Sequence, residues 1–143
     1  NLDMTNNTQG FNAFGVKGLE EHFERFGKEI KSVDSGYLSL NESKAGLHSD
    51  QQTFMLYGIP VCRPSGKLSQ RQLDCYHANC DSFDLIDKKE MENNVKYTAM
   101  MLYTLANASK LPSRLNSENT KEYLIAQNLK EELILGKDWH WEE

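Results

Sequence analysis

Ser49-Asp50-Gln51-Gln52-Thr53-Phe54-Met55-Leu56-Tyr57-Gly58-Ile59-Pro60-Val61-Cys62 is the stretch on which the fold assignment turns. Ser49 with Gln52 is a capping-box pattern, in which the hydroxyl accepts from first-turn amides and the glutamine reaches back. The helix it starts runs to about Tyr57 and stops at Gly58, a residue type that tolerates the left-handed turn at a helix end. Ile59 to Cys62 then follows as a short apolar strand. A helix, a glycine stop and a strand in immediate succession are the unit of a layered α/β domain.

On the N-terminal side, Leu19, Phe23, Phe26 and Ile30 recur at helical spacing, with Glu20, Glu21, Glu24 and Lys28 on the other face. That pattern predicts an amphipathic helix covering a sheet. Asn1 to Met4 reads as the end of a buried strand, and polar, glycine-containing Asn6 to Phe14 as a loop. Lys31 to Leu40 reads as a short strand with a turn at Asp34-Ser35-Gly36. On the C-terminal side, Arg63 to Cys80 reads as a long loop, and loops of that length in compact domains are usually functional. Asp87 with Glu90 caps the next helix, whose inner stripe reads as Met91, Val95, Thr98, Met101, Leu102 and Leu105. Leu111-Pro112 ends it. A last helix runs from about Ser117 to Leu135, before a tail containing Trp139, His140 and Trp141. Only two or three strands are visible, too few to pair their own edges. The expected fold is therefore a partial sheet flanked by amphipathic helices, an incomplete α/β domain.

The 143 residues carry a net charge of −5, 26% charged and 38% hydrophobic residues, and a mean hydropathy of −0.66. Aromatics reach 10%, with nine Gly and three Pro, which excludes collagen-like and strongly disordered classes. Mild acidity without a basic stripe argues against nucleic acid as a partner. No apolar run approaches the roughly 18 residues of a membrane span. The chain opens at Asn1-Leu2-Asp3 without an initiator Met or a signal peptide, as if cut within a structural element.

Candidate chemistry centres on His77, within Asp74-Cys75-Tyr76-His77-Ala78-Asn79-Cys80-Asp81. A loop after an α/β strand is a usual place for a binding site, and imidazole beside carboxylates suits zinc. The alternative is a solvated loop histidine. Cys75 and Cys80 flank it, either as a short-loop disulfide or as two reduced thiols; Cys75, His77 and Cys80 as a three-ligand zinc knuckle is a further, weaker option. Cys62 reads as a buried free thiol. Asp3, at the end of an apolar strand, is costly to bury unless paired or metal-bound, the alternative being an Asp that caps its own turn. His22 reads as a solvated surface residue, His48 as a contact of the adjacent loop, and His140 as a tail contact.

Asn1-Leu2-Asp3-Met4, Ser49-Asp50-Gln51-Gln52-Thr53-Phe54, Gly58-Ile59-Pro60-Val61, and Tyr76-His77 with Asp81-Ser82-Phe83-Asp84 occur in that order. The set resembles the C-terminal half of secreted co-catalytic zinc exopeptidases, the bacterial leucyl aminopeptidase and glutamate carboxypeptidase type (clan MH). The resemblance covers about residues 1–108. It implies a three-layer α/β catalytic domain, residues 1–110 being its C-terminal part and 111–143 a helical extension and tail. It further implies that Asp3 ligates one of two zinc ions and His77 the other, that Tyr76 lines the substrate-pocket rim, and that the substrate is a peptide. Gln51 stands where the family has His. The family's His-x-Asp motif and Glu-Glu pair, the latter including the general base, belong upstream of Asp3 in a missing N-terminal half. Glu20-Glu21 and Glu131-Glu132 read as solvated helix faces. On this reading the isolated chain binds zinc weakly and hydrolyses nothing, and the protein is secreted or periplasmic. A glutaminyl-cyclase-like zinc acyltransferase and a non-catalytic binding homologue are the competing readings; the former typically has Trp where Tyr76 stands.

Overall fold

In a computed structural model, which describes residues 1–3 and 5–142, the chain is a small α/β unit. In chain order the elements are β1 (Gly10–Phe14), α1 (Leu19–Val33), α2 (Gln51–Leu56), β2 (Val61–Ser65), α3 (Gln70–Cys75), α4 (Lys88–Ala106), α5 (Ser117–Ala126) and α6 (Lys130–Leu135). Among the described residues, β1 and β2 form one antiparallel sheet, with Phe14 opposite Val61 and Gly10 opposite Ser65.

β1 is the middle of the molecule, and every one of its residues is buried. Alternate side chains of a strand point to opposite faces. Phe11 and Ala13 accordingly join a cluster with Phe23 and Phe26 of α1 and Tyr97 and Met101 of α4. Phe14 joins the other, with Met55, Val61, Leu124 and Leu133. The amphipathic helix predicted at Leu19–Ile30 is α1, and its four apolar positions are all buried.

The strand itself corrects the loop expected over Asn6 to Phe14. Gly10 and Asn12, which read as loop residues, serve the strand instead. A Cβ at Gly10 would lie 2.0 Å from the Leu40 carbonyl oxygen, so only glycine admits that close backbone approach. Asn12 is buried and bonds both ways along Lys44, its amide donating to the Lys44 carbonyl and its oxygen accepting from the Lys44 N–H, both at 2.9 Å. These two bonds offset much of the cost of burying the amide. The segment beside it supplies a second ladder: Leu40 N–H donates to Gln9, Glu42 N–H to Phe11, and Ala13 N–H to Glu42. This pairing lies just beyond the strand expected at Lys31 to Leu40, because α1 continues to Val33; the turn at Asp34–Gly36 is present.

α4 is capped by Asp87, which accepts from the Glu90 N–H at 2.9 Å. Its buried face is Asn94, Tyr97 and Met101, whereas Val95 is 65% and Leu102 59% exposed. The expected stripe is therefore rotated. Asn94 is drawn inward because its oxygen accepts from both the N–H and the hydroxyl of Thr8 while its amide donates to the Thr5 carbonyl. Hydropathy alone cannot anticipate such a satisfied polar residue at a core position. The single last helix is two, α5 and α6, broken where Asn128 adopts φ 59.

Asp34 ties α1 to α4: its carboxylate lies 2.6 Å from Lys96 Nζ, and Lys96 chiefly, with the Gly36 N–H, holds its carboxyl below the ordinary value. A depressed carboxyl stabilises the fold fully above the unfolded value of about 3.9 and less as pH falls through the folded one. Melting temperature should therefore decline on acidification in part through this pair. In Asp34→Asn that part of the decline is expected to disappear, by a small amount since the pair is partly solvated; pH-dependent melts of both proteins check this.

Candidate active site

The two residues expected to ligate metal come from opposite ends of the matched motifs. Asn1 to Asp3 is exposed and outside any strand, which corrects the buried strand end expected there; Met4 lies outside the described residues. No neighbouring strand pairs with Asn1–Asp3 among the described residues, so the segment is held by side chains instead. The Asn1 backbone nitrogen donates to the Cys62 carbonyl at 3.0 Å, and the Asn1 side-chain amide donates to Ser49 Oγ at 2.8 Å and also meets Gln51 Oε1. Ser49 Oγ donates to Asp3 Oδ2 at 2.7 Å.

That last bond changes the reading of the decisive stretch. The N-cap of α2 is Asp50, without a side-chain cap, since the Ser49 hydroxyl is taken by Asp3 and Asn1. Gln52 likewise reaches the His48 N–H at 2.8 Å. The glycine stop holds: Gly58 has φ 71, and a Cβ there would meet the Leu115 carbonyl oxygen at 2.6 Å. The strand after it begins two residues late, at Val61.

The long loop expected from Arg63 to Cys80 contains the rest of β2 and α3. A genuine capping box starts α3, Ser69 accepting from the Gln72 N–H while Gln72 returns to the Ser69 N–H. Cys75 and Cys80 are disulfide-bonded across a separation of five residues. The bond rules out the three-ligand knuckle, because neither sulfur is left as a thiolate. Cys62 is free and partly buried, and burial pushes its thiol pKa up, away from the thiolate form a nucleophile or ligand needs.

Tyr76 and His77 sit on the exposed loop closed by this disulfide, their rings edge to face at 4.0 Å. His77 takes φ 58, a left-handed backbone that histidine visits more readily than most residues. Tyr76 and Asp3 line one cleft of about 620 Å³, together with the apolar side chains of Leu2, Phe83, Ile86 and Met91. His77 is adjacent but not part of that lining. The structure thus brings Asp3 and Tyr76 to one cleft and sets His77 beside its rim. The apolar part of this lining was not anticipated: Phe83 stood in the Asp81-Ser82-Phe83-Asp84 motif and Met91 in the inner stripe of the helix opened by Asp87.

The other candidates lie elsewhere. His22 is half-buried against Phe26 rather than solvated, with ring centroids 6.0 Å apart. His48 Nε2 lies 2.6 Å from Glu132 of α6, and His140 stacks on Trp141 at 3.8 Å. Glu21, Glu131 and Glu132 lie exposed on helix faces, Glu20 partly so.

Asp3 and His77 offer one carboxylate and one imidazole, donors of the type zinc takes, but a catalytic zinc needs about three protein ligands. Among the described residues no group of three His, Cys, Asp or Glu side chains converges on a point. The donors fit zinc in kind and fall short in number.

Comparison with curated proteins and with solved structures returns no match. Residues 1–102, which hold Asp3, the Ser49 turn, the disulfide loop and most of α4, match the model of peptidase family M28. The chain belongs to peptidase family M28.

Proposed function

We propose that this chain, a metallopeptidase-type hydrolase by its family, acts on a peptide substrate and contributes to a two-zinc exopeptidase site. In that site Asp3 and His77 each supply one ligand to a different ion, and Tyr76 forms the rim of the substrate pocket. The observation that carries this reading is the shared cleft: Asp3 and Tyr76 line one cavity together with apolar side chains, which suits a peptide side chain beside a polar reaction centre. When bound, zinc polarises a carbonyl and lowers the pKa of its water to about 7. The chain's own residues position rather than react. Ser49 fixes the Asp3 carboxylate through Oδ2, and the disulfide constrains the Tyr76–His77 loop at both ends.

The remaining ligands and the general base come, on this proposal, from an N-terminal half of the catalytic domain. The exposed surface supports it. The chain presents 9278 Å², against about 7,500 Å² expected for a compact monomer of its 16.4 kDa. Phe83 is 84% exposed, and Val95 and Leu102 also face solvent. The Cys75–Cys80 bond favours an oxidising, secreted or periplasmic location.

The test is hydrolysis of aminoacyl and peptidyl p-nitroanilides with added zinc. The 143-residue chain alone is expected to release no product. Joined to the sequence that precedes it in its gene, it is expected to do so, with kcat/KM falling at least ~100-fold in Asp3→Asn or His77→Ala. That starts where the 10–100-fold range typical of losing an outer-shell partner ends. Full activity in either variant would refute the ligand assignment; cyclisation of an N-terminal glutaminyl peptide instead of hydrolysis would identify an acyltransferase.

A further inference from the structure

Residues 103–142 lie beyond the family match, yet two of their carboxylates reach the turn that holds Asp3. Glu132 Oε1, on α6, stands 2.6 Å from His48 Nε2. Asp138 Oδ2, on the turn after α6, accepts from Gln52 Nε2 at 2.7 Å. Gln52 Oε1 accepts in turn from the His48 backbone N–H, which closes the two ends of the turn on each other. His48 has φ 67, a left-handed backbone at the start of the turn. Ser49, between the anchored residues, donates to Asp3 and accepts from Asn1.

We propose that α6 and the turn after it are a positioning device for the Asp3 side of the cleft: Glu132 and Asp138 clamp the His48–Gln52 turn so that Ser49 presents its hydroxyl to Asp3. The functional part of this assignment rests on Asp3 belonging to the catalytic site. His48, Gln52, Glu132 and Asp138 are positioning residues, and none of them lines the cleft. Their platform is anchored at Leu133. Leu133, next to Glu132, is buried in the second core cluster, and its carbonyl accepts from the Asp138 N–H at 2.9 Å. Each clamp is solvent-exposed and contributes little by itself. Two clamps from α6 and the turn after it onto one short turn restrict its geometry together, as outer-shell partners do for ligating carboxylates.

The test compares full-length chains by NMR: wild type, Glu132→Ala/Asp138→Ala, Glu132→Gln/Asp138→Asn, Gln52→Ala and Ser49→Ala. Amide exchange across residues 48–52, the Asp3 carboxyl carbon shift during Zn²⁺ titration, and the melting temperature are recorded. The alanine pair is expected to speed exchange in the turn and raise the half-saturating Zn²⁺ roughly tenfold, as Ser49→Ala does, with little change in melting. The Gln/Asn pair keeps both acceptors and should restore most of the effect. Wild-type exchange and zinc response in the alanine pair, with Ser49→Ala impaired, would overturn the proposal. Should the alanine pair melt early, Gln52→Ala leaves α6 intact and decides by the same two readouts. If Zn²⁺ moves the Asp3 carbon in no protein, the metal assignment falls and the catalytic purpose of the clamp with it. The exchange readout still judges the clamp itself.

Discussion

Gly10→Val is expected to leave the chain unfolded at room temperature. A Cβ at this position would lie 2.0 Å from the Leu40 carbonyl oxygen, 2.3 Å from its carbon and 2.8 Å from its nitrogen. All three are backbone atoms of the segment that bonds β1 along its second edge, so no side chain can swing aside. Relief requires separating the two segments, which breaks the Leu40–Gln9 and Glu42–Phe11 hydrogen bonds. It would also displace Phe11 and Ala13 from the first core cluster. Overpacking a well-packed core costs about 1–3 kcal/mol even where side chains can yield, and here they cannot. Lost ladder bonds add about 1 kcal/mol each. Together these approach the ~5–15 kcal/mol of a typical domain. Circular dichroism and urea unfolding would show the loss; a cooperative transition near the wild-type midpoint would mean that β1 does not lie where it is described.

Truncation after Lys110 is expected to have a comparable effect, although residues 111–143 resemble an appended extension. Tyr123, Leu124, Leu129 and Leu133 are all buried, and they cover Phe14, Met55 and Val61 on one face of β1. The Tyr123 hydroxyl also accepts from the Gly15 N–H at 2.9 Å. Re-exposing side chains of this kind costs about 1.5–3 kcal/mol apiece before the uncovered partners are counted. The truncated chain should lose cooperative thermal unfolding and bind a hydrophobic dye, as expanded states do. A sharp melt close to that of the full chain would show that the extension is dispensable.

What the sequence revealed follows from where each residue finds its partners. α1 was legible because its apolar positions satisfy one local period, and the Asp87 cap because donor and acceptor lie three residues apart. Two Ser-x-x-Gln patterns occur in the chain, at Ser49–Gln52 and Ser69–Gln72, and only the second forms a capping box. Ser49 is diverted by Asp3, 46 positions away, a competition that no local rule contains. β1 was hidden for the same reason: Gly10 and Asn12 answer to Leu40 and Lys44, not to their neighbours in sequence. The cleft was half legible. Asp3 and Tyr76 stand in contiguous motifs and were identified, whereas its apolar lining gathers Leu2 with Phe83, Ile86 and Met91 from distant parts of the chain, which no local pattern contains.

The central claim is that Asp3 and His77 are zinc ligands in an M28 peptidase. A Zn²⁺ titration of the full chain, followed through the Asp3 carboxyl carbon and the His77 ring resonances, tests it most directly. Both sets of signals are expected to shift, with separate and weak saturation, because each ion takes one donor from this chain. His22, His48 and His140 should not respond at the same concentrations. Tight stoichiometric binding would contradict the claim, as would zinc shifts confined to other side chains.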